Sequence, residues 1–173
     1  MVQKRPFKLP GFRAYVEEIQ QVTAREAATQ IVGRLQFLGP WYSGQFAKNW
    51  VVRVGDVRIP ATVEQGAVNK KIPRPGQIPL PPIPSLRGTG KKKVVGYSID
   101  NRTTYRRIAM DLVPGRVERA SVLSAPQDWY RDFIEGGSLA DVLKDATGKA
   151  ATNPRIKGFK SSRFIGPAGR VEP

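Results

Sequence analysis

The chain contains no cysteine and no histidine. Thiol nucleophiles, zinc fingers, Ser-His-Asp triads and histidine proton shuttles are therefore excluded. The absence of cysteine also fits a reducing compartment, or a particle assembled in one. Long apolar runs are missing as well. No window approaches the ~20 consecutive apolar residues of a membrane span, and the basic Met1–Pro10 segment lacks the apolar core of a signal peptide. These features point to a soluble chain made in the cytoplasm, with no membrane partner. Acidic residues are scarce too, 14 against 29 Lys and Arg, for a formal charge of +15 over 173 residues. A chain of this length suits one domain that buries roughly 70% of its unfolded surface, so it needs neither metal nor disulfide.

The positive charge is unevenly spread. Residues 67–96 hold seven basic residues and no acidic one, 148–173 hold six basic and one acidic, and 1–10 hold three basic. Residues 11–40 are balanced, and 124–147 carry five acidic against two basic residues. Packed elements of ordinary charge with basic extensions indicate arms that reach for nucleic acid or acidic protein surfaces. The organisation read from this is a basic N-terminal arm (1–10), a single domain (11–147) with a proline-rich loop at about 67–93, and a basic extended tail (148–173).

Residues 11–38 read as one long helix. Phe12, Tyr15, Val16, Ile19, Val22, Ala27, Ile31, Leu35 and Leu38 recur at spacings of three to five, and Gly39-Pro40 ends the pattern. The stripe is expected to be the seam that packs on a sheet. Gly33 inside it costs about 1 kcal/mol against Ala, which suggests a bend or close packing there.

From Pro40 to Trp50 the chain turns from helical to strand language. Pro40 stops the helix, Ser43-Gly44 form the turn, and Phe46 and Trp50 are expected to pin the first strand to the helix stripe. Trp50–Val54 and Val57–Val63, separated by Gly55-Asp56, predict a hairpin. Lys93–Asp100 is a further strand and Val117–Leu123 a candidate third.

Pro73, Pro75, Pro79, Pro81, Pro82 and Pro84 impose an extended polyproline conformation. Two readings stay open for this segment. It is either a semi-rigid exposed connector or an arm lying on a neighbouring subunit, with Ile72, Ile78, Leu80 and Ile83 as apolar anchors. Lys70, Lys71, Arg74, Lys91, Lys92 and Lys93 accompany it. They are solvated charges, or contacts to DNA phosphate or an acidic partner.

In the last third, Ser124 with Gln127 predicts a capping box ahead of a short helix through Trp129, Tyr130, Phe133 and Ile134 that ends at Gly136-Gly137. Ser138 with Asp141 opens another helix, Leu139–Ala146, ended by Gly148. The tail beyond has no periodicity, and its isolated Phe159, Phe164 and Ile165 suit partner contact. The fold class is therefore α+β, a long N-terminal helix packed on a small antiparallel β-sheet, with short C-terminal helices and extended basic arms.

Catalysis would have to rest on carboxylates, Ser, Thr, Tyr and Lys. Asp128, Asp132 and Glu135 share one helix face, a spacing that suits a solvated face more often than a divalent metal. Neither Gly-rich phosphate-binding pattern occurs. No enzyme activity, cofactor or metal is expected.

Two segments carry a resemblance. The first is Ser43-Gly44, Phe46, Asn49 and Trp50; the second is Ile99–Tyr105 with Asn101 and Tyr105, followed by Asp111 and Gly115. Their order after a long helix resembles the neck, or tail-completion, proteins that join head to tail in tailed bacteriophages, over roughly residues 11–120. Asn101 would cap the turn leaving the strand, Tyr105 would pack over the sheet edge and Gly115 would permit a reversal. Two positions depart from the family pattern, Phe46 for an aliphatic and Arg106 for a small residue. The resemblance implies a structural virion protein forming a homo-oligomeric ring of six or twelve copies around the DNA channel. Its partners would be the portal or adaptor, the tail-tube or terminator proteins and genomic DNA, and its place the virion neck, assembled in the host cytoplasm. A basic nucleic-acid-binding protein of ribosomal type is the alternative, although the acidic 124–147 segment, the long amphipathic helix and the apolar proline segment serve no RNA-binding purpose.

Overall fold

A computed structural model describes residues 12–64, 72–86, 96–111, 125–126, 128–153 and 156. In chain order the elements are α1 (Phe12–Leu38), α2 (Gln45–Lys48), β1 (Trp50–Val54), β2 (Tyr97–Asn101), α3 (Arg106–Asp111), α4 (Trp129–Glu135) and α5 (Ser138–Ala151). This is the α+β arrangement expected, with the long helix first, a two-stranded antiparallel sheet among the described residues and short helices last. No helix among the described residues is long and apolar enough to cross a membrane.

The core gathers where α1, the sheet and the later helices meet. Ala28, Val32 and Leu35 of α1 pack with Phe46, Trp50, Val52, Ala109, Trp129 and Phe133, and Ile31 and Leu38 close its sides. The stripe read from spacing is thus right in its second half, whereas Tyr15, Val16, Ile19 and Val22 are only half-buried. It packs on the sheet as expected, against Trp50 and Val52. Its most extensive packing is nevertheless with α5, because Val142, Ala146 and Ala150 put a fully buried stripe of small side chains on that helix. Small residues let two helix axes approach closely, which maximises dispersion contact along their length.

Two sequence expectations are corrected. The hairpin between Trp50–Val54 and Val57–Val63 does not form; β1 pairs with β2, Trp50 opposite Asn101 through Val54 opposite Tyr97. The reason lies at the turn. Gly55 takes φ +82° and its N–H reaches the Gly96 carbonyl at 2.9 Å, while Ser98 Oγ donates to the Gly55 carbonyl (2.6 Å) and accepts the Val57 N–H (3.0 Å). Those bonds belong to a strand from elsewhere in the chain, and Pro60 has no N–H for a ladder. Residues 57–63 instead run out of the sheet, bury Ile59 and touch it again at one parallel bridge, Val63 to Thr103.

The second correction concerns the last helix, which continues through Gly148 to Ala151, with Ala150 buried. Ser138 is its first residue rather than its cap, the cap position being Gly137 at φ +93° with no side-chain hydrogen bond. The expected boundary at 147/148 therefore falls inside a helix. The short helix expected through Trp129, Tyr130, Phe133 and Ile134 is α4, which begins behind Asp128, without a side-chain cap, and ends at Gly136. The Ser124–Gln127 capping box, like the Val117–Leu123 strand, lies outside the described residues.

Candidate functional site: the junction and the proline-rich strap

The Pro40–Trp50 segment is a compact knot rather than a simple link. Gly39 donates to the Leu35 carbonyl at 3.1 Å, and a Cβ on it would come within 3.2 Å of both Phe46 and Trp129. Gly44, at φ +76°, lies against the Trp41 ring, which a Cβ would meet at 2.5 Å. Only glycine meets both demands, the left-handed backbone and the close approach. Ser43 is half-buried beside it. Phe46 then sits at the centre of an aromatic cluster, edge-on to Trp50 (5.6 Å) and Trp129 (6.1 Å) and tilted against Tyr105 (6.4 Å). Such edge-to-face pairs add about 0.5–1.5 kcal/mol each beyond area burial, which accounts physically for an aromatic where the resemblance has an aliphatic. Trp50 is 2% exposed, and its indole N–H has no hydrogen-bond partner among the described residues.

The second motif segment meets the first. Asn101, fully buried, donates from Nδ2 to the Phe46 carbonyl at 2.8 Å. Its Oδ1 accepts the Thr103 N–H (3.0 Å) and the Thr103 hydroxyl (2.8 Å). Next to it, the Arg102 N–H donates to the Asn49 carbonyl at 3.0 Å. Asn101 thus closes its own turn, as read from the sequence, and also ties that turn to α2. Arg106, the second departure, adds to this knot, pairing with Asp100 at 2.8 Å and donating to the Ile59 and Asn101 carbonyls at 3.0 and 2.8 Å. Tyr105 is half-buried against the core, and burial pushes its phenol pKa up, as it does for Tyr130. Gly115 lies outside the described residues.

The proline-rich segment lies on its own domain. Between residues 72 and 86 it runs along α1 as a strap, held by backbone bonds that its prolines leave available. The Ile72 N–H donates to the Tyr42 carbonyl (2.9 Å), Trp41 Nε1 donates to the Ile72 carbonyl (2.7 Å), Gln36 Nε2 to the Pro79 carbonyl (3.1 Å) and the Tyr97 hydroxyl to the Pro84 carbonyl (2.7 Å). Leu86 is buried and Ile83 packs on the core. An extended polyproline strand has no internal hydrogen bonds, so its carbonyls are free for such side chains.

Arg74 has a task that its charge alone did not reveal. Its guanidinium donates to the Phe37 carbonyl (2.7 Å) and the Gly39 carbonyl (2.6 Å) and lies over the rings of Trp41 (5.4 Å) and Phe37 (5.9 Å). It is a cap supplied by the strap for the C-terminus of α1, where carbonyls lack helical partners and the dipole favours a cation. Burial lowers its pKa. Placed so, Arg74 is bound within the chain. The signal available in sequence was weak, one arginine among prolines some 35 residues after a helix end.

Of the proposed contact residues, Ile72 and Leu80 remain 45% and 46% exposed while bound in the strap. Ile78 and Ile83 are half-buried. Lys70, Lys71, Lys91, Lys92, Lys93, Phe159, Phe164 and Ile165 lie outside the described residues. Phe37, unremarked in the sequence, is 67% exposed beside the strap.

The acidic residues of the last helices are divided. Asp145 of α5 bonds Lys149 (3.0 Å) and Gln30 of α1 (2.8 Å), and Lys149 also reaches Glu26 at 3.4 Å, a surface network across the α1–α5 seam. The Lys149 hydrogen bond lowers the Asp145 pKa, and the same bond raises that of Lys149. On α4, Asp128, Asp132 and Glu135 are exposed, and among the described residues no group of three acidic side chains converges on a metal position. An open groove of about 690 Å³ follows the first half of α1, lined by Glu18, Gln21, Arg25, Ser85, Tyr97 and Asn153 among others. It mixes both signs of charge.

Compared with known proteins, the chain matches no family model, no curated protein and no solved structure.

Proposed function

We propose that this chain is a structural neck or tail-completion subunit of a tailed phage, forming a ring of six or twelve copies around the DNA channel between portal and tail. The observation that carries the reading is the meeting of its two motif segments. Residues 43–50 and 99–105, separated by some 50 positions, are joined at the Asn101–Phe46 and Arg102–Asn49 bonds. That the two parts form one knot supports reading them as a single structural unit. A ring subunit also needs side surface for its neighbours, and the exposed apolar residues Phe37, Ile72 and Leu80 along the strap supply it.

In this reading the chain is not an enzyme and holds no cofactor. Its partners are further copies of itself, portal or adaptor proteins on one side, tail-tube or terminator proteins on the other, and DNA within the channel. The basic segments beyond the strap serve acidic neighbours or the DNA backbone.

The test is particle mass by light scattering over a range of concentrations, followed by mobility shifts with DNA and RNA at several salt concentrations. The reading requires a homo-oligomer and weak nucleic-acid binding that does not prefer RNA. A monomer that binds RNA tightly, with a steep salt dependence, contradicts it and favours the ribosomal-type alternative.

A further inference from the structure

We infer that copies of this chain associate head to tail, the acidic ridge of α4 on one copy docking against the exposed Phe37–Leu80 patch of the next. This rests on the ring reading and names its surfaces. Leu80 reaches over Gly33, where a Cβ would stand 3.7 Å from Leu80 Cδ2. Phe37 lies one turn further along the same face of α1, 67% exposed, with Arg74 stacked on its ring. Arg34, exposed and one turn earlier than Phe37, adds a second cation at the border. The result is an apolar patch edged with arginines that the strap leaves uncovered.

The opposite chemistry is found on α4. Asp128, Asp132 and Glu135 line the side of α4 turned away from the buried Trp129 and Phe133, where they outnumber the exposed Arg131 on the same face, and Ile134, 41% exposed, stands on the far side of Arg131. These three carboxylates make no ion pair among the described residues, in a chain with 29 basic and 14 acidic residues. Unpaired carboxylates beside an isoleucine complement arginines beside a phenylalanine, and complementary potential selects partner and register at an interface. Both halves reside on every copy at different places. The contact is therefore heterologous, and a heterologous contact that closes generates a ring.

The experiment uses the full chain and two variants, Phe37→Asp, which spoils the patch, and Asp132→Lys with Glu135→Lys, which spoils the ridge; Leu80→Asp serves as a second patch variant. All these positions are exposed, and thermal melts establish that each variant folds. Wild type should form oligomers that weaken with salt, and each variant alone should be monomeric. An equimolar mixture of patch and ridge variants should give a species of twice the monomer mass and nothing larger, since each partner keeps one intact face. Oligomeric wild type with equally oligomeric variants, or a mixture that stays monomeric, overturns these surfaces and leaves the ring reading standing. A wild type that stays monomeric at its highest soluble concentration overturns both.

Discussion

The Asn101 side-chain amide donates a 2.8 Å hydrogen bond to the carbonyl of Phe46, 55 residues earlier, inside a fully buried pocket. On its other side the same amide accepts the N–H and hydroxyl of Thr103. One planar group thus fixes the end of β2, the turn behind it and the short helix α2.

Replacing Asn101 by Ala leaves two buried donors, the Thr103 N–H and hydroxyl, without their partner, each costing roughly 1–3 kcal/mol, and leaves the Phe46 carbonyl with the Asn49 N–H alone. A loss of at least about 2 kcal/mol in denaturant unfolding is expected. Asn101→Asp makes a sharper test. The carboxylate still accepts from Thr103 but faces the Phe46 carbonyl with a lone pair, so its folded-state pKa must rise above the unfolded value of roughly 3.9. The variant should approach wild-type stability as pH falls to about 4, where a protonated oxygen can donate to Phe46, and lose ground as pH rises through the folded pKa. A stability gap to wild type that is flat between these conditions contradicts the clamp.

Trp50 is a folding residue. At 2% exposure in the middle of the core, its truncation to Ala should cost about 3–5 kcal/mol, the usual range for deleting a buried aromatic. The placement is wrong if purified Trp50→Ala keeps its melting temperature and loses only partner binding.

Arg74 should matter locally before it matters globally. Arg74→Ala removes two bonds to the end of α1 and both ring contacts, so the amide of Ile72 should exchange with solvent much faster while core amides such as that of Val52 change only with overall stability. Arg74→Lys keeps the charge but not the planar fork, and should restore only part of the protection. Equal exchange of Ile72 in wild type and Arg74→Ala contradicts the cap.

Gly33 is a position where the protein can be stabilised. An added Cβ meets only Leu80 Cδ2, at an ordinary 3.7 Å, so Gly33→Ala recovers helix propensity without a clash. A gain of about 0.5–1 kcal/mol is expected. A loss on calorimetry would mean that α1 and the strap are closer than described.

Local grammar was legible in the sequence where it was self-sufficient. The apolar period and Gly39-Pro40 bounded α1 because both ends of that argument lie in one stretch of chain. The turn at Asn101 was legible for the same reason, since Oδ1 bonds its own backbone two residues on. What failed was pairing at a distance. Gly55-Asp56 looked like a hairpin because nothing near it announces that Ser98 will occupy its hydrogen bonds. Gly148 looked like a helix stop because the burial of Ala150 that carries α5 past it is decided on α1. The strap was read correctly as neither helix nor sheet strand, yet its target could not be read, since Arg74 and the carbonyls of Phe37 and Gly39 are far apart in sequence and match only through geometry.

The central claim, that this chain builds a closed ring, is tested most directly by native mass spectrometry of the purified full chain at concentrations where it assembles. The account predicts a discrete species of six or twelve copies with no ladder of larger forms. A monomer across all concentrations, or an open series of ever larger assemblies, would contradict it.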